Sequence, residues 1–192
     1  MIERYDTFMT NLTLSWDLFI IVFFAIVVTY TFIIGKKESV KVILATYIAI
    51  VAVQGLGNVL QRVSAEAGIS LQTLFGYTPA IPALAIFKLV AFIVIMILLT
   101  IKAGFTVSYL KETTLVNIII TSLCGIATAG LLLSTLLTYV SNLPLLDMSL
   151  PNLASLSPII QQSWLMQLMI FNQDLWFSLP AFVLIGAGFA NS

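Results

Sequence analysis

The run LFIIVFFAIVVTYTFII, from Leu18 to Ile34, decides the fold of this chain. It contains seventeen residues without a charge, it follows Trp16-Asp17, and it is followed by Gly35-Lys36-Lys37-Glu38 and a second long apolar run. Seventeen helical residues rise about 25 Å, which approaches the thickness of the hydrocarbon layer of a bilayer. The pattern therefore predicts two membrane-spanning helices joined by a short basic turn.

The composition of the rest of the chain agrees with a membrane environment. Of its 192 residues, 60% are hydrophobic and 8% are charged, whereas a soluble domain usually has about 25% charged residues. The net charge is zero and no basic face is clustered, so we expect no nucleic-acid partner. The chain has no histidine and a single cysteine, Cys124, which excludes imidazole-based metal sites and a Cys-His nucleophile. We expect no catalytic, metal or cofactor-binding residues, and no enzymatic activity.

The hydropathy pattern predicts one membrane domain over residues 1–192. We expect an interfacial N-terminus at 1–16, followed by spans at about 17–35, 40–61, 82–102 and 114–140. Residues 141–192 are expected to contain a loop, a short helix and an apolar segment at 175–190. The fold class is thus all-α, a polytopic membrane helical bundle with four transmembrane helices and a short fifth C-terminal apolar segment.

The C-terminal apolar segment allows several placements. It is interrupted by Pro180 and is shorter than the about 20 residues that a crossing usually needs. It could form a short fifth span, a hairpin or a surface segment. Because a four-helix bundle offers it no evident internal place, we expect it to lie against the outer leaflet or a second subunit. In that arrangement Trp164 and Trp176 lie near the lipid headgroups.

Two spans carry polar side chains along one face. On the second span these residues fall within a narrow arc at 100° per residue, and on the fourth they fall within about 60°. Such arcs are typical of a seam where helices pack closely, and they are also compatible with the wall of a polar path. A lysine two turns into the third span either extends its stem to the interface or serves a buried function. The candidate residues are Tyr47, Gln54, Asn58, Lys88, Asn117, Thr121, Thr128 and Thr135.

The distribution of basic residues predicts the orientation. The short turns 35–41 and 102–113 hold five lysines, against three basic residues on the other side. Short loops rich in lysine and arginine usually stay in the cytoplasm. We therefore expect both turns to be cytoplasmic.

The opening of the chain resembles a known family. Trp16-Asp17, the apolar run, Gly35-Lys36-Lys37-Glu38 and the second apolar run together resemble the start of the colicin V production protein (CvpA) family, over residues 16–140. The resemblance implies a small multi-pass protein of the bacterial inner (plasma) membrane with about four helices. It also implies a role in export or envelope maintenance.

The resulting expectation is a non-enzymatic membrane protein that works through the lipid bilayer, through self-association as a homo-oligomer, or through a membrane protein partner. The alternative is a small transporter or channel subunit whose polar path is lined by the second and fourth spans. An acidic residue in the middle of a span, which proton relays usually use, is not found in the sequence.

Overall fold

A computed structural model describes residues 16–67, 83–102, 114–141, 143, 145–146, 158–161 and 163–189. The regular structure in these ranges is entirely helical, which confirms the all-α class. The predicted interfacial N-terminus, the turn that follows residue 102 and most of the loop after residue 141 lie outside the described residues.

Six helices account for the described chain. They are α1 (Trp16–Ala67), α2 (Ala83–Lys102), α3 (Thr114–Val140), α4 (Pro158–Gln161), α5 (Trp164–Phe171) and α6 (Gln173–Phe189). In these ranges α1, α2 and α3 are long and apolar enough to cross a membrane. The pair α5 and α6, bent by 68° relative to each other, adds a fourth candidate if it counts as one span. These lengths and compositions are compatible with a multi-pass membrane protein.

The long helix α1 is broken at a single residue. Gly35 has φ 78° and ψ 169°, a conformation that glycine alone adopts readily. We call residues 16–34 the first arm and residues 36–67 the second arm. Phe24 of the first arm packs against the Trp176 ring, and Tyr47 of the second arm donates a hydrogen bond to the carbonyl of the next residue, Phe177. The arms therefore run side by side in opposite directions.

The reversal between the arms is tighter than the sequence pattern indicates. The basic turn is predicted over 35–41, but helical conformation resumes at Lys36. The positive φ of Gly35 reverses the chain within one residue, so no loop is needed. The lysines of the predicted turn consequently lie in the first turns of the second arm.

Helix α3 lies at the centre of the bundle. In an apolar stretch of 18 residues within α3, 56% of the residues are buried, against 11% in the corresponding stretches of α1 and α2. Its Leu133 lies in a core cluster with Ile20 of the first arm, and its Cys124 lies in another with Ile43 of the second arm. Helix α2 packs from outside, where the Phe92 ring meets the buried Tyr139 ring of α3 edge to face at 5.7 Å.

The C-terminal helix α6 lies along α3. It begins beside Thr138, which accepts a hydrogen bond from the Gln173 amide, and Ala187 near its end belongs to the core cluster of Cys124. Pro180 is among the fully buried side chains. The prediction that the segment 175–190 has no place inside the bundle is therefore wrong.

The prediction also placed Trp176 outside the bundle, whereas its ring packs against Gly130 of α3. A Cβ atom added to Gly130 of α3 would overlap the six-membered ring of Trp176. The missing side chain of Gly130 thus makes room for this ring inside the bundle. Trp164, in contrast, is 67% exposed at the beginning of α5.

Candidate functional site

The predicted polar arc of α3 is an internal surface of the bundle. Thr121, Thr128 and Thr135 are all buried. The Thr128 hydroxyl donates to the Cys124 carbonyl and the Thr135 hydroxyl donates to the Leu131 carbonyl, both at 2.7 Å. These hydroxyls use carbonyls of their own helix, so they can be buried at low cost without a polar partner on another helix.

Close approach of backbones accompanies this arc. A Cβ atom at Gly125 would lie 3.2 Å from the Val28 Cα and 3.3 Å from the Thr31 Oγ1 of the first arm. Small residues allow such contact between membrane helices, where dispersion forces and not the hydrophobic effect drive association. The described geometry along Thr121, Gly125 and Thr128 is that of a packed helix seam.

The polar arc of the second arm divides between two environments. The Tyr47 hydroxyl donates a hydrogen bond to the Phe177 carbonyl, in the turn of α6 that precedes Pro180. The Gln54 Oε1 atom is buried and has no hydrogen-bond partner among the described residues. Asn58, one turn further, is exposed. The arc thus passes from the bundle interior to its surface.

Lys88 lies beside the exposed end of that arc. A Cβ atom at Gly57 would lie 2.8 Å from the Lys88 Cε, so the lysine stem crosses the surface that glycine leaves free. Asn117, which the sequence groups with Asn58, is exposed near the beginning of α3. Ile120, about one helical turn after Asn117, clusters with Val40 near the Gly35 reversal. Asn117 therefore lies at the Gly35 end of the bundle, and Asn58 lies at the opposite end. The structure does not bring them together.

A polar contact missing from the predicted set joins the beginning of α1 to the beginning of α5. The Asp17 carboxylate accepts hydrogen bonds from the Ser163 hydroxyl at 2.5 Å and from the Leu165 amide at 3.0 Å. Ser163 also caps α5, because its hydroxyl accepts from the Met166 amide at 3.1 Å. We call Asp17 and Ser163 the clasp. A carboxylate is favourable at a helix N-terminus, and the Asp17 carboxylate lies at the N-terminus of α5 although Asp17 itself belongs to the first turn of α1.

A second polar contact joins α3 to α6. The Gln173 amide nitrogen donates to the Thr138 hydroxyl at 2.6 Å, and the Gln173 Oε1 accepts from the Leu146 amide at 3.1 Å. Thr138 in turn donates to the Ser134 carbonyl at 2.7 Å. The sequence analysis missed both contacts, because pairings across 146 and 35 residues leave no local signal.

A groove opens between the two arms, α2 and α3 at the end of the bundle that contains Gly35. Its volume is about 330 Å³ and its lining is almost entirely apolar. Four of its hydroxyl groups donate to carbonyls of their own helices. We call it the kink groove; its walls include Tyr30, Thr31, Ser39, Ile97, Thr100 and Thr128.

Within the described ranges, no group of three or more His, Cys, Asp or Glu side chains is placed to hold a metal ion. Comparisons of the chain with protein-family models, with curated proteins and with solved structures found no match.

Proposed function

We propose that this chain is a non-enzymatic integral membrane protein of the bacterial inner membrane that acts through its surfaces, by self-association or by binding a membrane protein partner. The two arms, α2 and α3 make four spans, and the Gly35 end faces the cytoplasm because its lysines are retained there. The CvpA-like opening of the chain supports a role in export or envelope maintenance.

The observation that carries this proposal is the packing of the polar arc on α3. Thr128 and Thr135 satisfy their hydroxyls on their own helix, and Gly125 brings α3 against the backbone of the first arm. Hydroxyls bonded to their own helix leave few free polar groups to line a path for a solute, and Gly125 allows direct helix contact. What remains for function is the outer surface of the bundle.

The alternative, a small transporter or channel subunit, has one observation in its favour. The Gln54 Oε1 is buried with no hydrogen-bond partner in the described part of the chain, and three residues further along the helix the Lys88 stem lies across Gly57. A polar atom left in this way is suited to a water molecule or a polar ligand. Against a continuous path, Asn58 and Asn117 lie exposed at opposite ends of the bundle.

The two proposals predict different effects of substitution at Gly125 and at the asparagines. Gly125→Leu should lower the unfolding free energy in detergent by about 1–3 kcal/mol or more, because overpacking forces α3 from the first arm. Gly186→Leu is the matched control, since nothing lies within 4 Å of a Cβ atom at that position. A thermal melt of both variants measures the difference.

The same preparations are assayed for solute flux in liposomes. Under the surface-acting proposal, the wild-type protein gives no flux above that of empty liposomes, and Asn58→Leu and Asn117→Leu change neither flux nor melting temperature. Flux through the wild type that both asparagine variants abolish, while their melts stay unchanged, would establish the transporter alternative instead.

A further inference from the structure

Two buried oxygen atoms on facing helices have no hydrogen-bond partner among the described residues. One is the Gln54 Oε1 of the second arm, and the other is the hydroxyl oxygen of Tyr139 in α3. Tyr139 is 2% exposed. The kink groove differs in this respect, because its four hydroxyl groups donate to carbonyls of their own helices. A buried polar group without a partner is costly, so these two oxygens point to a bound ligand.

The two oxygens lie at the same level of the bundle. The second arm and α3 run in the same direction, because Val40, near the beginning of the second arm, shares a core cluster with Ile120, near the beginning of α3, and later residues of both helices share another. The first of these clusters gives an offset of about 80 residues, which places Gln54 level with Thr135. Tyr139 follows one turn later, and long side chains in a helix lean back towards its N-terminus. The Tyr139 hydroxyl therefore returns to the level of Gln54.

The surroundings of this level are enclosed by three helices. Val53, the residue before Gln54, belongs to the same core cluster as Tyr139 and as Phe92 of α2. The Phe92 ring meets the Tyr139 ring edge to face at 5.7 Å, so α2 covers the Tyr139 side chain. The Gln54 and Tyr139 oxygens thus belong to one apolar layer of the bundle, yet they are not bonded to each other.

A third polar group at this level completes the set. Thr135 is fully buried and lies one turn before Tyr139 on α3. Its hydroxyl donates to the Leu131 carbonyl at 2.7 Å, and its oxygen can still accept. A glutamine oxygen only accepts, whereas a tyrosine hydroxyl also donates. A ligand that donates twice and accepts once satisfies all three groups, and buried water molecules typically make about three such bonds.

We propose that one buried water molecule binds between the second arm and α3. It donates hydrogen bonds to the Gln54 Oε1 and to the Thr135 hydroxyl, and it accepts one from the Tyr139 hydroxyl. This water joins the polar faces of the second and fourth predicted spans and fixes the register of the two helices. The inference goes beyond the proposed function, because it needs neither a partner protein nor a transported solute.

A crystal structure of the full chain in a lipid phase, at a resolution that shows ordered water, tests the proposal directly. We expect a density of single-water size at about 2.5–3.0 Å from the Gln54 Oε1 and from the hydroxyl oxygens of Tyr139 and Thr135. A direct bond between Gln54 and Tyr139 would overturn the proposal. A density that misses any of the three oxygens, or one too large for a single water, would do the same.

A double-mutant cycle in detergent tests the bridge independently. Gln54→Met and Tyr139→Phe each remove one partner of the water at nearly unchanged volume, so the second change should cost little once the first is made. The effect of the double variant on the unfolding equilibrium constant should fall short of the product of the single effects by about two-fold or more, the lower end of coupling within a hydrogen-bond network.

Tyr47→Phe provides the matched control for this cycle. The Tyr47 hydroxyl lies two turns from Gln54 on the same arm, but it donates directly to the Phe177 carbonyl. The effects of Gln54→Met and Tyr47→Phe should therefore multiply, as is usual for residues without a shared partner. Multiplying effects in the Gln54 and Tyr139 pair would overturn the bridge, as would equal coupling in the control pair. If a variant does not fold, the structure of the wild type decides.

Discussion

At the scale of single residues, glycines determine how closely the helices approach. Gly125 lies against the backbone of the first arm, Gly130 accommodates the Trp176 ring and Gly57 lies beneath the Lys88 stem. Gly55 and Gly186, in contrast, have open space where a Cβ atom would be. The sequence alone does not separate these two groups, because both consist of glycines inside apolar helices and differ only in what lies opposite.

Gly35 is needed for its backbone conformation. A Cβ atom at this position would meet nothing within 4 Å, yet φ 78° with ψ 169° is a conformation in which other residues are strained by about 1–3 kcal/mol. Gly35→Ala should therefore lower the unfolding free energy by that amount, measured by denaturant titration in detergent micelles.

Gly55→Ala is the control for this effect, because its site is helical and open. It should be neutral or slightly stabilising, since alanine favours the helix by up to about 1 kcal/mol relative to glycine. Equal stability of Gly35→Ala and the wild type would mean that the reversal does not require the positive φ.

At the scale of elements, the helices differ in how far the sequence determines them. The apolar runs predicted at 82–102 and 114–140 coincide with α2 (Ala83–Lys102) and α3 (Thr114–Val140). Hydropathy suffices there because each helix satisfies its own backbone in lipid. The position of α6 could not be predicted in this way, since it depends on Trp176 meeting Gly130 of another helix and on Gln173 meeting Thr138.

The polar arcs show the same limit at the candidate site. Helical periodicity gives the direction in which Thr121, Thr128 and Thr135 point, and all three are buried together. Periodicity does not give the neighbour that lies opposite or the level along the bundle. For that reason Asn58 and Asn117 were grouped by the sequence although they lie at opposite ends.

The contact of α6 with α3 can be tested through Gly130. Gly130→Ala should displace Trp176, because the added methyl group overlaps its ring, and α6 should detach in part from α3. We expect a loss of about 1–3 kcal/mol of stability or more, together with a red shift of tryptophan emission. The emission is recorded in a Trp16→Phe/Trp164→Phe background, in which Trp176 is the remaining tryptophan.

Gly186→Ala in the same background is the matched control and should leave both the emission and the melt unchanged. An unshifted emission in Gly130→Ala would contradict the burial of Trp176 against α3.

At the scale of the whole molecule, the bundle has two chemically different ends. One end contains Gly35, Lys37 and Lys102, and the end of α6 reaches the same level through Ala187. The other end contains the clasp and two exposed tryptophans, Trp16 and Trp164, a residue type enriched at membrane interfaces. The distance that α6 covers along α3 therefore predicts that the C-terminal helix passes through the full depth of the bundle.

Cysteine labelling in intact cells tests this topology in a Cys124→Ala background. Cysteines introduced singly at Lys37 and at Gly188 should be shielded from an impermeant thiol reagent until the cells are permeabilised. A cysteine at Trp164 should react at once. All three residues are exposed in the bundle, so access depends on the side of the membrane.

Labelling of Lys37→Cys and shielding of Trp164→Cys would reverse the orientation and leave the arrangement of helices unchanged. If Gly188→Cys and Trp164→Cys react while Lys37→Cys is shielded, α5 and α6 form a re-entrant segment that returns to the side from which it started.

The clasp has a consequence for the order in which the protein is built during translation. Asp17 and Ser163 are 146 residues apart. At about 5–20 residues per second, the ribosome needs roughly 7–30 s to synthesise the chain between them. Throughout that interval the first helix lies in the bilayer with the Asp17 carboxylate hydrated by water at the headgroups. The clasp forms only after the last third of the chain has been synthesised. Nascent chains that are stalled before residue 163 therefore present an open bundle to the quality-control proteases of the membrane.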